Sequence, residues 1–327
     1  MPFNPLAPRV LCTGILVADI FVPPLPALPA AGELRATDDF LLDSGGCAAN
    51  VATCLARLGV RPAVSGCVGD DVFADFIEQD LHCKGVEASG IRRSTRLGTS
   101  KTVILPVVGE DRRFIHTFGA NAEFCDTDIA LEALPVGGLL YLGGFLILPG
   151  LDSEAVAQVF RKAQERGIKT VLDVVVPVGD ADGKMQLLEP ILPFTDYFLP
   201  NEEEAHALTG EITPRKQAER FREVGCETVL ITQGSKGTLL LSGQEAIQAD
   251  AYSIEIVDGS GAGDAFTAGW IAGLLEGWPI EETLRFASVI GASCCSRLGC
   301  TTGVFNRHEA EAFMQRLPLR IQTFLER

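Results

Sequence analysis

The sequence predicts an α/β fold in which helices flank a mostly parallel central sheet. Short apolar segments typical of strands alternate with segments of helical period, which is the pattern of β-α-β units. The 327 residues are 47% hydrophobic and 21% charged, so the chain has enough apolar surface for a substantial core. Two segments, 16–42 and 97–118, break the alternation and are typical of short antiparallel strands. We therefore expect a single domain over residues 1–327, with a small β layer beside the main sheet.

The alternation assigns strands and helices in turn along most of the chain. Strands are predicted at 10–15, 62–68, 139–144, 170–176, 197–200 and 228–234. Helices are predicted at 47–58, 72–83, 153–166, 184–192, 202–209 and 214–224. Beyond Asp264 the pattern is mainly helical. Open α/β sheets bind ligands at the carboxyl ends of their strands, so the two irregular segments are expected to cover a site there.

Charge and cysteine usage exclude several classes of function. The net charge is −16 and the pI is about 4.7, so nucleic acid and anionic membranes are not expected as partners. The ten cysteines are scattered through the chain without a CxxC pair, which favours reduced thiols and a cytoplasmic protein over a disulfide scaffold or a zinc site. The first apolar run ends at Asp19, which favours a buried strand over a signal peptide.

The segment VDGSGAGDAFTAGW, residues 257–270, is a glycine-rich entry to a helix. It is not the dinucleotide motif GxGxxG, because Asp264 occupies the third glycine position. A helix that begins here still presents free N–H groups and a positive dipole end, which attract anions. Asp264 then has two interpretations: a first-turn carboxylate worth about 0.3–1 kcal/mol to the helix, or a general base of ordinary pKa beside a bound phosphoryl group.

Three further motifs precede this segment. They are DSGGCAANVATCLARLG at 43–59, PNEEEAHALTG at 200–210 and ITQGSKG at 231–237. Together with DGSGAGD, in this order, they resemble the ribokinase (PfkB-type) family of carbohydrate kinases, and the resemblance runs from about residue 10 to residue 305. It implies a three-layer ribokinase-like fold with a small β-sheet lid. It also implies magnesium-dependent transfer of the γ-phosphoryl group of ATP to a hydroxymethyl group of a sugar or sugar derivative.

The resemblance also implies a role for each matching residue. Asp264 would be the catalytic base, and the anion hole would consist of Gly261, Ala262 and Gly263. The sugar would be bound by Asp19, Gly45, Gly46, Asn50 and Asn121. The nucleotide would be bound by Asn201, Thr232, Gly234 and Gly237. Glu204 would hold Mg²⁺ through water, and Asp258 with Ser260 resembles the place where some members bind K⁺.

Two departures from the family pattern bear on the substrate. Ribokinases generally carry a lysine after the glycine pair, where this chain has Cys47, and a glutamate in the strand that here reads YLGGFLI. Ribose itself is therefore not the expected sugar. Lys101, Arg112 and Arg113 are interpreted as a solvated charged hairpin, with contact to an acidic or phosphorylated sugar as the alternative.

Pairing of two lids in a homodimer is a further implication of the resemblance. Two rival functions stay open at this point. One is a nucleoside kinase on the same scaffold, although an aromatic content of 7% offers little lining for a purine. The other is a catalytically idle ligand-binding protein of the same fold.

Overall fold

A computed structural model describes residues 7–110, 112–177 and 179–325. In chain order its strands are β1 (Val10–Gly14), β2 (Val17–Phe21), β3 (Leu41–Gly45), β4 (Pro62–Gly69), β5 (Glu87–Ser94), β6 (Lys101–Leu105), β7 (Arg113–Thr117), β8 (Leu139–Gly143), β9 (Lys169–Leu172), β10 (Tyr197–Phe198), β11 (Thr228–Thr232), β12 (Thr238–Ser242), β13 (Glu245–Ala249) and β14 (Ile321–Leu325). Its helices are α1 (Cys47–Arg57), α2 (Val72–Cys83), α3 (Ser153–Glu165), α4 (Lys184–Leu188), α5 (Glu202–Thr209), α6 (Pro214–Glu223), α7 (Ala262–Glu276), α8 (Ile280–Cys294) and α9 (Arg307–Arg316).

The main sheet has ten strands in the order β14-β13-β12-β11-β10-β9-β8-β1-β4-β5. The strands from β11 to β5 pair in parallel, and β12, β13 and β14 extend the sheet in antiparallel pairs. The predicted mostly parallel sheet is therefore confirmed, and the strands and helices predicted before residue 235 lie close to their expected positions.

Helices cover both faces of the main sheet, because successive side chains of a strand point to opposite faces. In β1, Val10 and Cys12 pack in one core with α1, α2, α7, α8 and α9. Leu11, between them, packs in a second core with α3, α5 and α6. Helix α7 packs against both α1 and α8, and its Trp270 is fully buried. The result is the expected arrangement of three layers.

A second, four-stranded sheet has the order β3-β2-β6-β7. Its strands come from the two irregular segments of the sequence, and the antiparallel pairing predicted for each segment is confirmed. Strands β2 and β6 pair in parallel, while β2–β3 and β6–β7 are antiparallel. The reason is topological: the chain passes through the main sheet between β3 and β6, so the two hairpins meet through a long crossover rather than a turn.

One strand lacks a clear sequence pattern, and another is shorter than predicted. Strand β5, with the sequence EASGIRRS, pairs with β4 and is the last strand of the main sheet in the described part of the chain, where polar residues are tolerated. Strand β9 ends at Leu172, earlier than predicted, so Asp173 follows the strand directly.

Among the described residues, the helices are too short or too polar to cross a bilayer.

Candidate functional site

A glycine turn opens α7 at the predicted anion site. Gly261 has φ 74°, and a Cβ there would lie 2.3 Å from the carbonyl oxygen of Cys300, so only glycine fits the turn. Ala262 and Gly263 follow in the first turn of the helix, whose N–H groups point out of its N-terminal end. A Cβ on Gly263 would meet open space. The start of α7 thus offers the positive dipole end and the room that a phosphoryl group needs.

Asp264 lies in this first turn and contacts α1. The side-chain amide Nδ2 of Asn50 donates a 2.8 Å hydrogen bond to Oδ2 of Asp264. Asn50 is only 4% exposed, and its Oδ1 has no hydrogen-bond partner among the described residues. An unpaired buried acceptor costs about 1–3 kcal/mol, so a hydroxyl donor from a ligand would stabilise this site.

Burial raises the pKa of Asp264 to about 6, although hydrogen bonds from Asn50 and Cys47 lower it. The expectation that this aspartate has an ordinary pKa is therefore wrong, because its position inside the protein is not visible in the motif. With a pKa near 6, about nine-tenths of the carboxyl groups are ionised at pH 7. Asp264 remains able to accept a proton, and it is a stronger base than an exposed aspartate.

A second carboxylate, missed by the sequence analysis, lies beside Asp264. One polar atom each from Cys47, Asp173 and Asp264 lies within 4.8 Å of the other two. Burial raises the pKa of Asp173 well above its usual value, and the negative charges of Glu204 and Asp264 raise it further. The Tyr141 hydroxyl donates a 3.0 Å hydrogen bond to Asp173. The only signal for Asp173 in the sequence is its place at the carboxyl end of a predicted strand, where ligands bind.

Glu204 stands at the start of α5 and completes a capping box with Asn201. The backbone N–H of Glu204 donates to Oδ1 of Asn201 at 2.8 Å, and the N–H of Asn201 donates to the Glu204 carboxylate at 3.0 Å. Burial raises the pKa of Glu204 to about 7, although hydrogen bonds from the backbone of Asn201 and Val176 lower it. Its carboxylate and that of Asp173 are hard oxygen ligands of the kind that Mg²⁺ prefers.

A cavity of about 600 Å³ runs from the glycine turn to β11 and β12. Asn201 and Thr232 are joined by an isolated β-bridge at its edge. The lining residues that were predicted for the nucleotide and the anion hole are Asn201, Thr232, Gly234, Gly237, Ala262 and Gly263. The volume lies in the range of small-molecule sites, so the structure brings all of these predicted residues to one ligand-sized space.

Asp19 lies in β2, near enough to Asp264 for the two charges to interact, and it is 7% exposed. Burial raises the pKa of Asp19 to about 7, the Thr102 hydroxyl lowers it, and the charges of Asp43 and Asp264 raise it. A Cβ on Gly45 would lie 1.8 Å from Oδ2 of Asp19, so the glycine makes room for the carboxylate. Asp19 and Asn50 therefore lie near Asp264, Gly45 contacts Asp19, and the lining of the cavity includes none of the three.

Two of the predicted residues have mainly backbone contacts, and a third forms an ion pair with the small sheet's segment. Gly46 is the N-cap of α1, with φ 86°. The side-chain amide of Asn121 accepts from the N–H of Leu16 at 3.2 Å and donates to its carbonyl at 2.9 Å. Asp258 forms an ion pair with Arg112, with Nη1 2.7 Å from Oδ1. The interpretation of Arg112 as a solvated charge is therefore wrong, whereas the sugar-binding roles of Gly46 and Asn121 stay predictions.

Comparison with known proteins identifies relatives over nearly the whole chain. The profile of the pfkB family of carbohydrate kinases matches residues 7–315. The ribokinase of Haemophilus influenzae is 26% identical over 297 residues, which cover 89% of this chain and 94% of that protein. An uncharacterized sugar kinase of Archaeoglobus fulgidus is 31% identical over 253 residues, or 76% of this chain and 97% of that protein.

Solved structures are similar in fold. Arabidopsis thaliana ribokinase, complexed with ribose and ATP, has a TM-score of 0.79 and 26% identity, covering 95% of this chain and 99% of that one. An E. coli structure in complex with ATP and Mg²⁺ has a TM-score of 0.81 and 24% identity, covering 95% of this chain and 100% of that one.

Alanine substitutions at the two glycines of the turn should separate anion binding from folding. Gly263→Ala should melt no lower than the wild type, since its Cβ meets open space and alanine favours a helix over glycine by about 1 kcal/mol. Its methyl group should still weaken ATP binding, by about tenfold for each 1.4 kcal/mol of lost contact. Gly261→Ala should instead lower the melting temperature. Calorimetric titration that shows unchanged ATP affinity in Gly263→Ala would contradict the placement of the phosphates.

Proposed function

Since the chain belongs to the pfkB family of carbohydrate kinases, we propose that it transfers the γ-phosphoryl group of ATP to a hydroxymethyl group of a sugar or sugar derivative. One observation carries the proposal. Asp264 directly follows Ala262 and Gly263, which line the nucleotide cavity, and its carboxylate accepts a hydrogen bond from Asn50 and lies near enough to Asp19 for its charge to raise the pKa of Asp19. A base in this position would lie next to both reactants.

In the proposed reaction the substrate hydroxyl donates its proton to Asp264, and its oxygen forms a bond to the γ-phosphorus. The bond from that phosphorus to the β-γ bridging oxygen breaks, and ADP leaves with the electron pair. The N–H groups of Gly261, Ala262 and Gly263 stabilise the negative charge on the transferring group. The proton acceptor is ready at neutral pH, because the pKa of Asp264 is about 6.

Mg²⁺ is the proposed cofactor together with ATP. When bound, it neutralises charge on the β- and γ-phosphate oxygens. Glu204 would hold it through water, because the carboxylate already accepts backbone hydrogen bonds. Asp173 is a further candidate ligand, since its partly buried carboxylate is repelled by the neighbouring charges of Glu204 and Asp264, which a divalent cation would offset.

A neutral sugar suits this site best. Asp19 can accept hydrogen bonds from two vicinal hydroxyls, and the buried Oδ1 of Asn50 can accept one more. Asp264 is mostly ionised at neutral pH and Asp19 about half ionised, so an anionic group on the sugar would be repelled. Of the three cations in the alternative of an acidic sugar, Arg112 is paired with Asp258 and Arg113 with Glu110. The ten cysteines, many of them buried, fit a reducing compartment, and we place the protein in the cytoplasm.

The small sheet would serve as a lid and as a dimer interface. Phe40 is 55%, Phe114 57% and Ile115 64% exposed around its edges β3 and β7. Exposed apolar edge strands favour association, and a second copy of the chain is the proposed partner.

A single charged side chain introduced on β7 tests the dimer interface. Ile115→Asp should convert a dimer into a monomer in sedimentation velocity, because the carboxylate would be buried unpaired at the interface. Arg113→Gln, on the same strand, serves as the control and should leave the dimer intact. A wild type that sediments as a monomer would refute the pairing of lids.

The reaction itself is tested by ATP consumption across pentoses, hexoses, sugar acids, sugar phosphates and nucleosides. We expect turnover with a neutral sugar, and a loss of about 10²–10⁴-fold in kcat in Asp264→Asn. The variant should melt no lower than the wild type. A raised folded-state pKa means that the ionised form is disfavoured by folding, so removal of the charge relieves a cost at neutral pH. An equally active Asp264→Asn would refute the mechanism, and binding without turnover of any substrate would favour the idle ligand-binding protein.

A further inference from the structure

A guanidinium group occupies the place where the sequence resemblance suggests a potassium ion. Arg112 directly precedes β7 of the small sheet, and its Nη1 lies 2.7 Å from Oδ1 of Asp258. The same nitrogen donates a hydrogen bond to Oγ of Ser260. The two side chains of the ion pair are 29% and 3% exposed, for Arg112 and Asp258 respectively. The cation is therefore partly desolvated, and the carboxylate is enclosed.

The oxygens of Asp258 are already engaged. Besides Arg112, Oδ1 accepts hydrogen bonds from the backbone N–H of Ser260 at 3.0 Å and from its hydroxyl at 2.9 Å, and Oδ2 accepts from the N–H of Gly299 at 3.1 Å. Burial raises the pKa of Asp258, but the hydrogen bonds from Ser260 and Gly299 and the charge of Arg112 outweigh burial and hold it below its usual value. A potassium ion at this carboxylate would be repelled by the positive charge of Arg112. These residues do not fit a monovalent cation while Arg112 is in place.

The ion pair is close to the anion hole along the chain and in space. Asp258 precedes Gly261 by three residues, and its segment is fixed to the end of α8 by hydrogen bonds from the N–H groups of Val257, at 2.8 Å, and Asp258, at 3.2 Å, to the carbonyl of Cys295. Arg112, next to the small sheet, contacts this segment through Asp258 and Ser260. Movement of the small sheet relative to the main sheet would thus change the charge next to the glycine turn.

We propose that Arg112 is a positioning residue that acts as a built-in cation. It takes the place of a monovalent cation at Asp258, makes the enzyme independent of potassium, and couples the position of the small sheet to the shape of the anion hole. This inference rests on the proposed kinase function for its kinetic consequences. Its binding consequences are independent of turnover.

The kinetic test compares potassium chloride with tetramethylammonium chloride at equal ionic strength. The wild type should have the same kcat in both salts. Arg112→Gln should lose at least about tenfold in kcat in tetramethylammonium, because it leaves the enclosed Asp258 carboxylate without its counter-charge, and should regain most of that loss in potassium. Arg112→Lys should keep cation independence. Arg113→Gln, whose arginine pairs with Glu110, is the matched control and should behave like the wild type.

A binding test needs no substrate. Stepwise replacement of tetramethylammonium by potassium at equal ionic strength should leave the melting temperature of the wild type unchanged. It should raise the melting temperature of Arg112→Gln, since a cation that binds only the folded state stabilises that state. A wild type whose melting temperature or kcat rises with potassium would overturn the inference. So would an Arg112→Gln variant that is folded and indifferent to potassium in both measurements. Absence of turnover with every sugar would instead refute the proposed function and leave the melting result to decide the cation question.

Discussion

The carboxylate of Asp264 is partly buried at the first turn of α7, and the surrounding elements make that burial tolerable. Burial alone favours the neutral acid. The hydrogen bonds from Asn50 and Cys47 favour the charged form, so the pKa of Asp264 rises only to about 6. This balance requires α1 to bring Asn50 against α7, and it requires the tight turn at Gly261 that starts the helix at this point.

The same constraint explains how an acidic protein can bind a polyanionic nucleotide. The net charge of −16 repels ATP at long range, so attraction has to be local. In the proposed site, backbone N–H groups at the glycine turn would supply part of it. A divalent cation held by Asp173 and Glu204 would supply the rest, because burial and neighbouring negative charges raise the pKa of both carboxyl groups and the cation would offset those charges. Arg112 does the same for Asp258 with a side chain in place of an ion.

Local sequence patterns carry much of the fold and part of the site. The parallel sheet follows from apolar runs and helical periods, and the glycine turn at Gly261 follows from its motif, because both depend on neighbours in the chain. Asp173 carries no such pattern: it becomes part of the site only because β9 ends at Leu172 beside Asp264. Arg112 reaches Asp258 across 146 positions, and that contact depends on the parallel pairing of β2 with β6, which the hairpin pattern does not predict.

The role of Asp264 is tested most directly by a ¹³C NMR titration of its carboxyl group, whose signal is assigned by its absence in Asp264→Asn. We expect a pKa of about 6 in the substrate-free protein. We also expect an upward shift in Asn50→Ala, because that variant lacks the hydrogen bond that favours the carboxylate. As the pH is lowered, Asn50→Ala would then lose the ionised base, and with it the reaction, at a higher pH than the wild type does. A pKa near the reference value of about 3.9, unchanged in Asn50→Ala, would contradict the central claim that a buried, Asn50-bound carboxylate is the base of this site.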